Sequence, residues 1–345
     1  MKKKTAFVSG VTGQDGAYLA RLLINNGIDV IGGTRRSSIG IPHRLNELGV
    51  LDQIQMVDFD LSDIANITRA VIDHKPDYFF NLAAQSFVGS SWNFPVYTSN
   101  VDGMGVLYIL EALRNHSPDT RFYQASTSEM FGLAQTVPQS EETPFYPRSP
   151  YGVAKLFSHW MTKNYRESYG MFAVSGILFN HESPLRGSEF VTRKITLAFA
   201  EILEGKKETI SLGNLEATRD WGYAEEYVQG MYNMLTAEKP DDYVLATGTT
   251  YSIREFVNFT ANAAGIEIEW DGEGVDEVAR NCADGKVIVN INKDYFRPAE
   301  VSALIGDPSK AAKDLGWVAK TQTPELAKLM FEKDLEKVSS NTVHF

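Results

Sequence analysis

The sequence predicts an α/β protein: a doubly wound parallel-sheet domain joined to a smaller, discontinuous α/β C-terminal domain. Three observations carry that prediction. Through about residue 180 the chain alternates short apolar runs with helical patterns, the β-α-β order of a parallel sheet covered on both faces. Gly10-x-x-Gly13-x-x-Gly16 falls between the first run and the first helical pattern. Beyond about residue 180 the alternation loses its regularity.

In order, Thr5–Ser9 reads as the first strand. Asp15–Asn26 reads as a helix with Leu19, Leu22 and Leu23 on one face and Asn26-Gly27 as its stop. Asp29–Gly32 and Ile54–Asp58 are the next strands, the latter followed by a helix from about Ser62 to His74. Tyr78–Leu82 is the fourth strand, and one long helix is expected from about Pro95 to Asn115. Arg121–Ala125, a helix over Pro150–Tyr169 and a strand over Phe172–Ile177 complete the regular half. Glu182–Gly187 is loop-like, and Val191–Leu203 is a helix. Asp220–Thr236 is expected as a helix returning to the first domain, Tyr243–Ala246 as a strand and Ser252–Ala264 as a helix. Glu267–Val289 is expected as an irregular, exposed hairpin region, and Pro308–Leu315 and Thr323–Val338 as the last helices. The expected division places roughly 1–180 and 217–250 in a nucleotide domain, and roughly 181–216 and 251–338 in a second, substrate-binding one.

A chain of 345 residues, 43% hydrophobic and 22% charged, is ordinary for a soluble enzyme. The net charge of −11 argues against a nucleic-acid surface. One cysteine, Cys282, rules out an intrachain disulfide and fits a reducing, cytoplasmic setting. The six histidines show no metal-ligand spacing, so no metal is expected. Lys2-Lys3-Lys4 before Ala6-Phe7-Val8 imitates a signal peptide only briefly, because Gly10, Gln14 and Asp15 follow at once. No apolar run approaches the roughly 18 residues of a membrane span.

Between a strand and a helix, the three glycines have a specific meaning. They permit a tight turn, close approach of a pyrophosphate and close helix–strand packing, the fingerprint of a Rossmann dinucleotide site. An NAD site places an acidic residue about 20 residues further on. Here Arg35 and Arg36 occupy that place, followed by Ser37 and Ser38, which suits a 2′-phosphate and favours NADP. A solvated basic turn is the alternative. Asp60-Leu61 after the third strand can reach an adenine, and Asp60 can equally cap the next helix. Leu82, Ala83, Ala84 and Ser86 follow the fourth strand, where small residues let backbone approach a cofactor or simply pack tightly.

The chemistry lies in Ser126-Thr127-Ser128-Glu129 and in Tyr151-x-x-x-Lys155, the chain's single Tyr-x-x-x-Lys. Tyr151 and Lys155 share one helix face. An ammonium near the phenol favours phenolate, so Tyr151 is the candidate base for a substrate hydroxyl, with Thr127 bonding the same oxygen. Alcohol oxidation needs no further acid. Glu129 adds one: beside a new ketone, a carboxylate removes the acidified proton on the adjacent carbon and helps a hydroxyl leave from the next. The competing reading of Glu129 is a surface or capping residue.

These residues resemble the GDP-mannose 4,6-dehydratase family of the extended short-chain dehydrogenase/reductase superfamily, from about Thr5 to Leu335. The resemblance rests on Thr12–Gly16, Thr34–Ser38, Gln124–Glu129, Tyr151–Lys155, Phe179–Pro184, Phe190–Lys194, Arg219–Gly222 and Phe296–Glu300. It implies catalytic roles for Thr127, Glu129, Tyr151 and Lys155. It implies NADP contacts for Gly10, Gly13, Gln14, Asp15, Gly16, Arg35, Arg36, Ser37, Asp60, Leu61, Leu82, Ala83, Ala84, Ser86, Tyr97, Lys155, His181 and Arg186. It implies GDP-sugar contacts for Ser86, Glu129, Asn180, Val191, Lys194, Arg219, Arg297 and Glu300. The implied reaction turns GDP-mannose into GDP-4-keto-6-deoxymannose and water, in a homodimer or homotetramer. Lys194, Arg219 and Arg297 are the cations a diphosphate needs in an acidic protein, although Arg219 can instead pair with Asp220 and Arg297 can lie at a domain interface. The chain departs from many members at Phe87, where they carry His; this bears on substrate choice and leaves a GDP-heptose dehydratase as the nearest alternative. An epimerase or reductase of the superfamily is the next alternative, and Glu129 argues against it.

Overall fold

The computed structural model describes residues 3–35, 42–296 and 303–343. Arg36, Ser37, Arg297 and Glu300 therefore lie outside the described residues.

Seven parallel strands form the central sheet: β1 (Thr5–Ser9), β2 (Asp29–Thr34), β3 (Ile54–Asp58), β4 (Tyr78–Asn81), β5 (Arg121–Thr127), β6 (Ala173–Leu178) and β7 (Tyr243–Leu245). Their order is β3-β2-β1-β4-β5-β6-β7. The winding direction reverses between β1 and β4, which opens a crevice beyond the carboxyl ends of the strands, where ligands bind in such sheets.

Residue alternation assigns the two faces. Ala6, Val8, Tyr78, Phe80, Tyr123 and Ala125 point into one core, under α1 (Gln14–Asn25) and a later helix, α6 (Ala224–Thr236). Phe7, Ile31, Phe79 and Phe122 point into the other, under α2 (Ile64–His74) and α3 (Gly105–His116). Phe7 and Phe79 stack with centroids 4.8 Å apart, and Phe79 continues to Phe122 at 6.0 Å. The helix α4 (Pro150–Tyr169) runs between β5 and β6.

The remaining core gathers α5 (Val191–Leu203), α7 (Ile253–Ala263) and α8 (Thr323–Ser339) around Phe199, Phe256, Leu326 and Phe331. Inside it, the Arg193 guanidinium meets Asp334 at 2.7 Å, Thr196 donates to the same carboxylate at 2.6 Å, and Arg193 also donates to the carbonyl of Pro184 at 2.6 Å. Burial pushes the Asp334 carboxyl up to about 6 against the pull of Arg193.

The structure departs from the sequence-based expectation at three places. The helix expected to begin at Asp220 begins at Ala224. Its first residues are a strand, Trp221–Tyr223, paired in parallel with Asn180–Glu182, because flat aromatics around Gly222 fit a pleated, buried surface. Glu267–Val289 is not an irregular hairpin. Ile268–Asp271, Val278–Asn281 and Val287–Ile291 form an antiparallel sheet joined to Ile210–Leu212, with Ala279 and Val289 fully buried. The long helix from Pro95 is interrupted by a π-helical turn, Ser99–Met104, before α3.

Asp334→Ala leaves Arg193 buried without its counter-ion, and is expected to lower the unfolding free energy by about 3–5 kcal/mol in urea denaturation. Lys333→Ala, which breaks an exposed pair with Glu336, should change it by less than about 1 kcal/mol.

Candidate active site

A cavity of about 740 Å³ opens at the carboxyl ends of the strands, within the size range of small-molecule sites. Asp15, Leu82, Ala84 and Ser86 line its nucleotide side, Thr127, Glu129, Tyr151 and Lys155 its middle, and Asn180, His181, Arg186, Val191, Lys194 and Arg219 the opposite wall. The sequence places these residues far apart; the fold brings all of them to one cleft.

The central cluster is built by β5 and the start of α4. Thr127 ends β5, and a 3₁₀ turn over Ser128–Met130 follows. The Thr127 hydroxyl accepts the Glu129 N–H at 3.2 Å, which fixes the turn that presents the carboxylate. Ser149 caps α4 by accepting the Gly152 N–H at 3.0 Å, and Pro150 occupies the first helical position. The cap sets Tyr151 in the first turn and Lys155 one turn later. A Cβ on Gly152 would lie 2.8 Å from the Glu129 carbonyl oxygen, so only glycine lets the helix start seat against the Glu129 turn.

Tyr151 and Lys155 are buried, at 8% and 4% exposure. Burial raises the Tyr151 phenol well above its ordinary value; Asp102 and Glu129 add to the rise, and contact with Thr127 opposes it. Burial lowers the Lys155 ammonium, against the Asp102 and Asp15 charges. The sequence-based expectation that Lys155 pulls the phenol down is not met in this geometry. Its Nζ lies 5.8 Å from the Tyr151 ring centre and donates to the Ala125 carbonyl at 3.0 Å.

On the nucleotide side, Gly10 (φ +70°) turns the chain where a Cβ would sit 2.9 Å from the Ala83 backbone, and a Cβ on Gly16 would sit 2.3 Å from the Gly10 carbonyl. The α1 start has Gly13 as N-cap and no side-chain cap, so its N–H groups remain for a phosphate. Gln14 donates to the His181 carbonyl at 3.0 Å and accepts from Ser183 at 2.8 Å. Asp15 meets His181 Nε2 at 2.8 Å. Burial raises the Asp15 carboxyl, but the His181 charge and hydrogen bond overcome it and hold the carboxyl below its usual value. Burial likewise opposes the His181 charge, and Asp15 outweighs it, leaving the imidazole above its ordinary value. His181 stacks on Tyr227 with centroids 4.8 Å apart. Arg35 and Tyr97 are not among the residues that line the cavity; Arg35 donates to the Tyr97 hydroxyl at 2.5 Å.

Two nucleotide-side residues make contacts of their own. Asp60 accepts from the Ser62 N–H at 2.9 Å, while α2 is capped by Asp63 and not by Asp60. The Leu61 side chain is buried in the core against Gly105. Gly13 and Ala83 contribute backbone and close packing.

On the opposite wall, Arg186 pairs with Glu182 at 3.0 Å and lies 3.6 Å over the Phe190 ring. Phe190 meets Phe87 edge-on at 6.0 Å. Lys194 donates to the Ser211 carbonyl at 2.7 Å and sits 4.0 Å over Tyr295. Burial, with Lys207 nearby, lowers the Lys194 ammonium. The Asp220 carboxylate receives the Thr247 and Gly248 N–H groups, each at 2.9 Å, and Arg219 donates to the Thr218 carbonyl at 2.7 Å. Trp92 and Tyr295 also line the cleft. Sequence reasoning missed both; Tyr295 stands next to the Phe296–Glu300 motif, which was the signal for it. Among the described residues no group of three or more acidic, His or Cys side chains could hold a metal, and no helix is long and apolar enough to cross a membrane.

A cleft with a nucleotide loop, a Tyr/Lys pair and a carboxylate can be compared with known proteins. The model of the family described as GDP-mannose 4,6 dehydratase matches residues 7–330. A GDP-mannose 4,6-dehydratase of Sinorhizobium fredii is 51% identical over 340 residues, covering 96% of this chain and 97% of its own. One from Vibrio cholerae is 47% identical over 360 residues, covering 99% and 96%. Among solved structures, a dTDP-glucose 4,6-dehydratase of Streptomyces venezuelae with NAD and TYD bound superimposes with a TM-score of 0.81 at 19% identity, covering 97% of this chain and 98% of that one, a likeness of fold. With the family model matched over nearly its whole length and relatives near half identity end to end, the chain belongs to the GDP-mannose 4,6-dehydratase family of hydro-lyases.

Proposed function

We propose that the protein is an NADP-dependent GDP-mannose 4,6-dehydratase, converting GDP-D-mannose to GDP-4-keto-6-deoxy-D-mannose and water. The observation that carries this reading is the presence of Glu129 in one cleft with Thr127, Tyr151 and Lys155. A dehydrogenase needs the last three; the extra carboxylate is what elimination requires.

The nucleotide loop fits the cofactor, because the uncapped α1 start and the crowded Gly10 and Gly16 leave a backbone surface that a pyrophosphate can approach. That cofactor, when bound, would supply the hydride acceptor for C4 and the hydride donor for C6. Tyr151 takes the O4 proton, and Thr127 holds that oxygen. The C4 ketone acidifies C5–H; Glu129 would remove that proton and deliver it to the C6 hydroxyl, which leaves as water, and the proton held by Tyr151 would return to C5 once C6 has its hydride. The Lys155 ammonium orients the cofactor ribose beside Tyr151. Lys194 and Arg219 face the GDP end, with Arg297 and Glu300 joining them on the family's pattern. Support for NADP over NAD comes from Arg35 at the end of β2, tied to Tyr97, where an NAD site carries an acid. We assign roughly residues 1–180 and 217–250 to the cofactor domain and roughly 181–216 and 251–338 to the substrate domain; most of each packs in its own core, while Leu185, Ala311 and Trp317 pack in the first and Trp221 in the second. A single cysteine suits a cytoplasmic setting.

Self-association as a dimer or tetramer is supported by α4. Val153, Phe157 and Trp160 recur at helical spacing and are 56%, 40% and 50% exposed. A GDP-heptose is the second substrate reading, favoured by Phe87, an aromatic on the cleft wall in place of a polar contact.

Purified protein given GDP-mannose without added NADPH should form a product lighter by one water with no NADPH accumulating. No product from GDP-mannose, with turnover of a GDP-heptose, overturns the substrate. Glu129→Gln should keep cofactor affinity and lose about 10²–10⁴-fold in water elimination; full activity refutes the acid–base role. Arg35→Ala should weaken NADPH binding about tenfold or more while leaving NADH binding unchanged, in fluorescence titrations. Trp160→Glu should lower the molecular mass seen in analytical ultracentrifugation by breaking subunit contact.

A further inference from the structure

Asp102 is a buried carboxylate that the reaction as derived does not use. It is 1% exposed. It lies on the π-helical turn Ser99–Met104, in the face that continues through Val106, Ile109, Leu110 and Leu113, all buried. A charged residue in that stripe breaks the local pattern, and such conflicts gather at functional positions. π-turns inside helices do the same.

Its contacts tie two parts of the site together. Asp102 Oδ1 accepts the Gln85 N–H at 2.7 Å, which anchors the loop after β4 that carries Leu82, Ala84 and Ser86. The Asp102 carbonyl accepts a hydrogen bond from Ser158, one turn beyond Lys155 on the same face of α4. The turn is seated on α4 at close range, with Gly103 against Phe157 and Ala154. Asp102 Oδ2 is buried with no hydrogen-bond partner, and so is Gln85 Oε1 beside it. A carboxylate oxygen left dry costs stability unless a charge nearby compensates. Burial pushes the Asp102 carboxyl up to about 6, and the charge that opposes the rise is Lys155, whose Nζ is bonded to the Ala125 carbonyl.

We propose that Asp102 is a positioning residue of the reaction: its buried carboxylate is the counter-ion that keeps Lys155 an ammonium beside Tyr151, while it fixes the cofactor loop through Gln85. The inference rests on the dehydratase reading for its role in turnover, and on the packing of the π-turn against α4 and the unpartnered Asp102 Oδ2 for its effect on Lys155. Lys155 is faced by Asp102 from the π-turn and by Asp15 from α1, and Tyr151 lies one turn back on its own helix. Tyr151 is faced by Asp102, Glu129 and Arg186. Of the two carboxylates facing Lys155, Asp15 is already engaged by His181 at 2.8 Å, so Asp102 is the one whose charge is left for the lysine.

The sign of the effect follows. Removing a buried negative charge makes every neighbouring group easier to deprotonate. Without Asp102, Lys155 loses its proton at lower pH, and the Tyr151 phenol does so too. Both limbs of the pH–rate profile therefore move in the acid direction together.

Asp102→Asn separates this from a packing role, because the amide oxygen still accepts the Gln85 N–H while the charge is gone. The Lys155 titration is followed without substrate, through the ε-carbon NMR signal in protein carrying ¹³C-lysine, assigned with Lys155→Arg. In Asp102→Asn the midpoint should fall by about one pH unit or more, and the kcat profile on GDP-mannose should shift acid-ward on both limbs. Circular dichroism and thermal melting check that the variant is folded. An unchanged Lys155 midpoint in a folded variant overturns the proposal, as does a uniform loss of kcat with unmoved limbs. If the midpoint falls but wild-type protein does not turn over GDP-mannose, the substrate reading fails and the Asp102–Lys155 coupling stands. Should Asp102→Asn not fold, Gln85→Ala, which leaves both charges in place, is expected to keep the Lys155 midpoint at its wild-type value, and a fall there overturns the charge assignment.

Discussion

The contact between the start of α4 and the turn after β5 is the constraint on which the site depends. Tyr151 and Lys155 arrive from one element, and Thr127 and Glu129 from another. They become one cluster because Gly152 has no side chain: a Cβ there would lie 2.8 Å from the Glu129 carbonyl. The Ser149 cap and Pro150 fix where the helix begins, and so which residues of its first turn face the cleft. A register change of one residue would turn the phenol by about 100° away from Thr127. The acid–base arrangement is thus set by backbone proximity and capping before any charge interaction contributes.

A second set of contacts couples the cofactor loop to the substrate wall. Gln14 and Asp15 open α1, yet their side chains bind His181 and Ser183 across the cleft. His181 is held in turn by the Phe179 carbonyl at 2.7 Å and by the face of Tyr227. The strand Asn180–Glu182 that carries it pairs with Trp221–Tyr223, next to Arg219. The glycine loop and the opposite wall of the cleft therefore share a continuous hydrogen-bonded frame, which holds them in a fixed relative position. Such positioning is the main contribution a protein makes where a cofactor carries the chemistry.

The parallel sheet was legible because its strands are buried on both faces and read as apolar runs bounded by Gly, Asn and Asp. The cleft residues were legible where local chemistry is distinctive: Tyr151 with Lys155, and Glu129 after Ser-Thr-Ser. Other features were hidden for physical reasons. Trp221-Gly222-Tyr223 is continuous in pattern with α6, and its strand pairing is set only by Asn180–Glu182, some forty residues earlier. The sheet through Ile268–Ile291 closes only when Ile210–Leu212 covers one edge, a contact with no local signal. The π-turn adds one residue to a helix whose apolar stripe otherwise reads normally, so only the misplaced Asp102 betrays it. Asp60 fits a cofactor contact and a helix cap equally in sequence; in the structure the cap is Asp63, three residues on.

The electrostatics of the cleft explain why the family's chemistry needs an enclosed, charged site and not a phenol alone. Burial sets the Tyr151 proton firmly in place, and Asp102 and Glu129 both oppose its loss. A base so placed is not an indiscriminate one. As a phenolate it would take up a proton readily, and as a phenol it gives one up only when charge in the cleft favours it. Releasing the phenol's proton needs positive charge; Arg186, paired with Glu182, acts in that sense, and Lys155, which faces Asp102 and Asp15, is the other cation of the cleft. Matching keeps those cations charged in a dry site, at the cost of part of their pull on the phenol. The site therefore balances two demands, cations that stay ionised when buried and a tyrosine that can still act. The carboxylates which strike that balance for Lys155 stand outside the Tyr-x-x-x-Lys pair, on the cofactor loop's helix and on the π-turn.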